Sequence, residues 1–128
     1  MVGTVKSQRP VNLDITTIKF TPQMIASITH RIAGVAIFAG MAFLIWGLGL
    51  SLQSQESFDA LKECMDSVVA KLIVWAILAG FIYHFIAGVR HLLMDAGYFE
   101  TLEGSRILSI AVMIVSAVLI VAAGVWVW

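Results

Sequence analysis

Leu72-Ile73-Val74-Trp75-Ala76-Ile77-Leu78-Ala79-Gly80-Phe81-Ile82-Tyr83-His84-Phe85-Ile86-Ala87-Gly88-Val89 carries no formal charge and ends at a polar rim, Arg90-His91, with Asp95 one turn beyond. A run of this length is long enough to cross a bilayer as a helix. His84 then lies about six residues inside the rim, roughly 9 Å deep at 1.5 Å per residue. An ionisable group at that depth is a functional candidate by default, although a histidine hydrogen-bonded inside a packed bundle would look the same in sequence. At 100° per residue, His91 and Asp95 fall on the face of His84, and so do Gly80 and Gly88. Small residues flanking an imidazole let a neighbouring helix or a flat macrocycle come close.

Two further uncharged runs, Ile32 to Leu52 and Ile107 to Trp128, are each near the roughly 20 residues that about 30 Å of hydrocarbon requires. The chain is 60% hydrophobic and only 12% charged, with a mean hydropathy of +0.96. Soluble domains are about half apolar, so this is the composition of an integral membrane protein. The expected fold is all-α: a single membrane domain over 1–128, with a polar N-terminal segment over 1–21 and a three-helix bundle from helices at 22–52, 68–95 and 105–128. Formal net charge is zero and the basic residues do not form the dense cluster that would suggest nucleic acid or anionic lipid as a partner. Cys64 is the only cysteine, so neither an intrachain disulfide nor a CxxCH attachment motif exists, and any haem would be held non-covalently.

The N-terminal segment mixes Lys6, Arg9, Asp14 and Lys19 with isolated apolar residues and lacks the apolar core of a signal peptide, so it is expected to persist. Pro10 biases Arg9 towards extended backbone. Thr21-Pro22 has the residue types of an N-cap and a first helical position. A helix starting there brings Ser27, His30, Arg31 and Gly34 together on neighbouring rows where it enters the membrane. Arg31 alone would suit interfacial snorkelling; with a serine and a histidine beside it, the group suits a carbonyl or carboxylate. The segment from Gln53 to Lys71, with Glu56, Asp59, Glu63 and Asp66, is expected to be a solvated, partly amphipathic loop. Gly97 and Gly104 are expected to turn the chain between the second and third helices, and the third helix, with Ser109 and Ser116, to serve as packing scaffold.

Lys6, Arg9, Lys19, Arg31, Arg90 and Arg106 lie on one side of this arrangement and only Lys62 and Lys71 on the other. The positive-inside rule therefore places the N-terminus and the second connection in the cytoplasm. Trp46, Trp75, Trp126 and Trp128 all fall towards the opposite interface, which suggests that another protein covers the cytoplasmic rim. Every histidine lies in the cytoplasmic half. Such a site would bind a polar head near the surface and a flat apolar group below it, and quinone and haem b fit those two descriptions. His30 and His91 are expected to lie too near the interface to share an iron with His84, so a second axial ligand would come from another membrane subunit.

Ser27-Ile28-Thr29-His30-Arg31, preceded by Arg9-Pro10, and His84-x-x-x-Gly88-Val89-Arg90-His91-x-x-Met94-Asp95-x-Gly97 closely resemble the two signatures of the cytochrome b membrane-anchor subunit of succinate dehydrogenase. Ala33 departs from that pattern, where Ser or Thr is commoner. The resemblance implies a multi-pass protein of a bacterial inner membrane, with its C-terminus periplasmic. It also implies a second membrane-anchor subunit, with which the chain holds an iron-sulfur subunit and a flavoprotein subunit. By position, His84 would be an axial ligand of the haem iron, Ser27 and Arg31 would contact ubiquinone as substrate, and His30 with Arg31 would surround the haem propionates. FAD and the iron-sulfur clusters would belong to the partner subunits only, so succinate would not be oxidised on this chain. Asp95 would pair with Arg31 or relay protons. Two other classes stay open: a haem-free structural anchor of a related complex, and a small proton-coupled transporter.

The distribution of basic residues yields a direct test of topology. An impermeant thiol reagent added to intact spheroplasts should label Cys64, and a C-terminal reporter should be active only outside the cytoplasm; activity confined to the cytoplasm would reverse the orientation.

Overall fold

Thr21 and Pro22 begin the first long helix as their chemistry dictates. The computed structural model describes residues 14–128, so the Arg9-Pro10 strip and Lys6 lie outside the described residues. After a single 3-10 turn, Ile15–Thr17, helix α1 runs Pro22–Ser51. Asp14 accepts hydrogen bonds from the Thr16 hydroxyl at 2.6 Å and the Thr16 N–H at 3.0 Å, which hold its carboxyl below the usual carboxylate range. Thr21 Oγ1 accepts from Met24 N at 3.4 Å, and Pro22 occupies the first turn, where its missing N–H would have had no partner in any case.

Helix α2, Gln55–Met65, stands where the sequence suggested a solvated loop. The cause is a capping box built from two serines: Ser57 N donates to Ser54 Oγ at 3.1 Å, and Ser54 N donates back to Ser57 Oγ at 3.0 Å. Serine takes the place of the Glu or Gln that usually marks this motif. Glu56 in the first turn and Lys62 in the last complement the helix dipole. Phe58, Leu61 and Met65 share one side of α2. Leu61 and Met65 line an apolar recess of 520 Å³ with Phe43, Trp46 and Ile73.

Helix α3, Val68–Asp95, and helix α4, Leu102–Val127, complete the bundle. The turn after α3 is a Schellman motif: Tyr98 N donates to Leu93 O at 2.9 Å and Gly97 N to Met94 O at 2.9 Å. Gly97 adopts φ 86°, the left-handed conformation that this turn requires. Gly104 does not turn the chain as expected but sits in the first turn of α4. Its N–H donates to the N-cap Thr101 Oγ1 at 3.0 Å. A Cβ there would come 3.2 Å from Phe99 Cα, so the missing side chain admits the incoming loop.

The three long helices are each apolar enough to cross a membrane. The fold is all-α, with no strand among the described residues. Helix α3 is central and packs against both α1 and α4. The interior is made of small residues: Ala26, Ala33 and Gly40 on α1, Ala70 and Ala87 on α3, and Ser105, Ser109 and Ser116 around Val112 on α4. Large apolar residues face outward, with Phe38 82% and Trp126 80% exposed. Lipid provides no hydrophobic drive between helices, so close backbone approach through small residues is what holds a bundle of this kind together.

Trp75 joins α3 to α4 at the end of the bundle remote from the histidines. Its indole N–H donates to Ile120 O at 2.9 Å. A Cβ on Gly124 would lie 3.1 Å from Trp75 Nε1, tighter than ordinary contact. Gly124→Val should therefore force the helices apart and lower the stability of the detergent-solubilised protein by about 1–3 kcal/mol. Trp75→Phe, which removes the hydrogen bond, should cost about 0.5–1.5 kcal/mol. Thermal unfolding followed by fluorescence checks both, and an unchanged transition in Gly124→Val would show that the contact does not constrain the pair.

Candidate functional site in the seam between the first and third helices

Opposite the Trp75 end, α1 and α3 meet in one register. Tyr83 OH hydrogen bonds Thr29 Oγ1, whose own hydroxyl donates to Ile25 O at 2.6 Å. One residue further along both helices, His84 Nδ1 lies 3.1 Å from the carbonyl oxygen of His30. A carbonyl only accepts, so this bond places the proton on Nδ1 and leaves the Nε2 lone pair of a neutral His84 available.

Gly34 makes that approach possible. Its N–H follows the His30 carbonyl in the i+4 ladder of α1, and a Cβ on it would come 3.0 Å from His84 Cε1. The imidazole of His84 therefore occupies the space a side chain at position 34 would take. The His30 ring stacks on His84 with centroids 4.0 Å apart and planes 14° apart, and His91 is tilted against His30 at 5.1 Å. His30 Nε2 is buried without a hydrogen-bond partner. Gly88 faces His30, its Cβ position 3.9 Å from Nε2, while Gly80 faces Ile37 at 3.5 Å. The space that the sequence left open to a helix or a macrocycle is thus filled on this side by α1.

The structure brings His30, His84 and His91 together and sets Ser27 and Arg31 beside them on a different face of α1. Those two line an open recess of 350 Å³ with Gln23, Met24 and Ile28. Arg31 is exposed and Ser27 half-buried. Asp95 is exposed at the end of α3, and among the described residues no ion pair joins it to Arg31.

His30 and His84 share a level, where the sequence placed His30 nearer the interface. Two imidazoles on one haem iron approach it end-on from opposite faces of the macrocycle; rings in face contact at 4.0 Å leave no such gap between them. Among the described residues, no group of three His, Cys, Asp or Glu side chains is arranged to chelate a bare metal ion. A single imidazole with a free Nε2, oriented through Nδ1 by a backbone carbonyl, is instead the arrangement of a metal-ligating histidine with its outer hydrogen bond in place. The residues present fit a haem iron bound at His84.

Several features of the site had no sequence signal strong enough to single them out. The Thr29–Tyr83 contact and the role of Gly34 depend on the relative register of α1 and α3. Gln23 Nε2 donates to Leu102 O at 3.2 Å, joining the starts of α1 and α4. Arg90 resembled an interfacial residue but is 5% exposed between α3 and α4.

Comparison with known proteins bears on this geometry. Residues 5–123 match the family described as succinate dehydrogenase/fumarate reductase transmembrane subunit. The succinate dehydrogenase cytochrome b556 subunit of Coxiella burnetii is 41% identical over 97% of this chain and 100% of its own length. The cytochrome b556 subunit of Paracoccus denitrificans is 33% identical over 94% of this chain and 93% of its own. The cytochrome b560 subunit of Porphyra purpurea is 33% identical over 69% and 72%. The matched segment holds every histidine and both sides of the α1/α3 seam, and with the three apolar spans it leads to one assignment: the chain belongs to the succinate dehydrogenase/fumarate reductase transmembrane subunit family.

Proposed function

We propose that this chain is the cytochrome b membrane-anchor subunit of a succinate:ubiquinone oxidoreductase. In this reading it holds haem b together with a second membrane subunit and forms part of a ubiquinone reduction site next to an iron-sulfur and a flavoprotein subunit. The observation that carries the haem reading is the hydrogen bond from His84 Nδ1 to His30 O, which orients the ring and frees Nε2. Bound haem would supply a one-electron redox centre. The second axial ligand would come from the other membrane subunit, because His30 is stacked flat on His84. His30 Nε2 is buried and without a partner; carrying the ring proton it would donate to a propionate oxygen, and Arg31 would supply positive charge nearby.

Ser27 and Arg31 face away from the seam and would contact the quinone head. Reduction delivers two electrons from the iron-sulfur subunit and two protons from the side of the N-terminus, converting the quinone to the quinol. The Ser27 hydroxyl would donate to one quinone carbonyl, and the Arg31 guanidinium would favour the negative charge that develops on oxygen before protonation. Asp95, exposed and without an ion pair to Arg31, would pass protons from that side to the quinone. The membrane would be a bacterial inner membrane with the N-terminus cytoplasmic and the C-terminus periplasmic.

A haem-free anchor is the second reading, favoured by the same seam: His84 already has a protein partner and a packed ring. A reduced-minus-oxidised spectrum of the purified membrane complex separates the two readings. His84→Ala should remove or alter the b-type bands while the helix still inserts. Gly34→Val should alter them as well, since it displaces the ring without changing the ligand. Unchanged spectra in both assembled variants would remove His84 from the iron.

Quinone contact is tested apart from ligation. Ser27→Ala and Arg31→Leu should depress succinate-driven quinone reduction far more than transfer to an artificial acceptor that bypasses the membrane. Losing a hydrogen bond to a charged group costs about 1.5–3 kcal/mol, so Arg31→Leu should lose about 10–100-fold if the loss falls on the transition state. With haem content and assembly matched, an equal fall in both activities would exclude the two residues as quinone contacts.

A further inference from the structure

Among the described residues, every hydrogen bond between α1 and α3 comes from two consecutive side chains, Tyr83 and His84. The rest of the seam is the stacking of His30 on His84 and apolar contact at glycines, such as Gly40 against Ile77 and Gly80 against Ile37. Contacts at small residues bring two helices close without fixing how far one is displaced along the other. A hydrogen bond weakens steeply as its distance and angle change, so the register of α1 against α3 rests on these two side chains. His84 cannot set its own position, because the ring to be placed is the ring that makes the bond.

Tyr83 is independent of that ring, and its bond has a direction. Thr29 Oγ1 lies 2.6 Å from Ile25 O and 3.3 Å from Ala26 O. Its one proton goes to the nearer carbonyl, so towards Tyr83 it accepts and the phenol donates. Ala26 O, 3.3 Å from the phenol oxygen, belongs to the same turn of α1. Tyr83 is thus tied to residues 25–29, which run directly into His30, while a peptide bond joins Tyr83 to His84. Helical backbone on both sides carries the tie to the contact next to it, where His84 Nδ1 meets His30 O at 3.1 Å. That contact matters beyond packing. A carbonyl drawing on the Nδ1 proton raises the basicity of Nε2 towards a metal, and a more basic ligand favours the higher oxidation state.

Resting on the reading of His84 as a haem ligand, we propose that Tyr83 is a positioning residue: through Thr29 it holds His84 Nδ1 against His30 O and so keeps the midpoint potential of an iron bound at Nε2 low. Tyr83 itself touches neither the iron nor the quinone recess at Ser27 and Arg31.

The test is a redox titration of the b-type haem in the complete membrane complex, with unfolding temperature measured on the same samples. Tyr83→Phe and Thr29→Val each remove one side of the tie and nothing from the ring. Each should raise the potential, changing the ferrous-to-ferric ratio at a fixed potential by roughly three- to tenfold, about 30–60 mV for a one-electron couple. Thr29→Ser keeps the acceptor and should restore the wild-type potential. Since one bond is at stake, the double variant should shift no further than either single one. The low-spin ferric electron paramagnetic resonance signal, which reports the plane of the axial imidazole, should move in the same variants. If Tyr83→Phe fails to assemble, Thr29→Val and its rescue by Thr29→Ser carry the test. A lower unfolding temperature with potential and signal unchanged would reduce the bond to a structural tie and overturn the proposal. So would a shift in one single variant without the other, a double variant equal to the sum of both, or a Thr29→Ser that behaves like Thr29→Val. His84→Ala in the same series separates two failures. A haem spectrum unchanged by His84→Ala removes the haem reading and this inference with it, whereas a spectrum altered by His84→Ala beside a wild-type potential in Tyr83→Phe removes this inference alone.

Discussion

A bundle surrounded by hydrocarbon cannot be held together by moving its large apolar side chains away from water, because both faces of each helix are equally apolar. What remains is contact distance and hydrogen bonding. The interior of this chain follows that constraint at each seam. Alanine, glycine and serine occupy most interior positions, with Val112 and Arg90 the larger exceptions, and two of the rings admitted between helices are bonded to backbone carbonyls. Trp75 reaches the carbonyl of Ile120, and His84 that of His30. In each case a glycine, Gly124 or Gly34, vacates the volume that the ring takes.

That constraint links packing to chemistry. An imidazole placed between helices has to satisfy one nitrogen, and the carbonyl of His30 does so while setting the tautomer. Structural and ligating roles are therefore not exclusive for His84, since the bond that seats the ring also exposes the nitrogen an iron would need. Thr29 and Tyr83 reinforce the seam one residue away, where a slip of either helix would break both contacts together.

Much of the fold was legible in the sequence because the signals were long. Three uncharged runs define the spans, and Thr21-Pro22 marks the start of α1. The short helix α2 escaped because its capping box uses Ser57 where a glutamate is the familiar sign. Helix α4 begins at Leu102, ahead of the expected boundary, because Gly104 reads equally well as a reversal or as a residue without a side chain beneath Phe99. For the site, helical periodicity put His84, His91 and Gly88 on one face, and the structure turns that face towards α1. Periodicity says nothing of how far one helix is displaced along another, so the stacking of His30 on His84 was not legible. Nor was the burial of Arg90, since an arginine near a helix end has the same local sequence whether it reaches water or turns inward.

Helix α3 is keyed at two points, to α4 through Trp75 and to α1 through Tyr83 and His84, with less than three turns of helix between them. Each residue of that interval contributes roughly 100° of rotation, so the stretch acts as a gauge of angle as much as of length. One residue added or removed there would swing the histidine face by more than a quarter turn away from α1 while the tryptophan stayed in register, and no adjustment of side chains could restore both. The corner at α2 carries no such phase relationship. Evolutionary changes in the length of this chain should therefore gather at that corner and leave the interval between Trp75 and His84 unaltered.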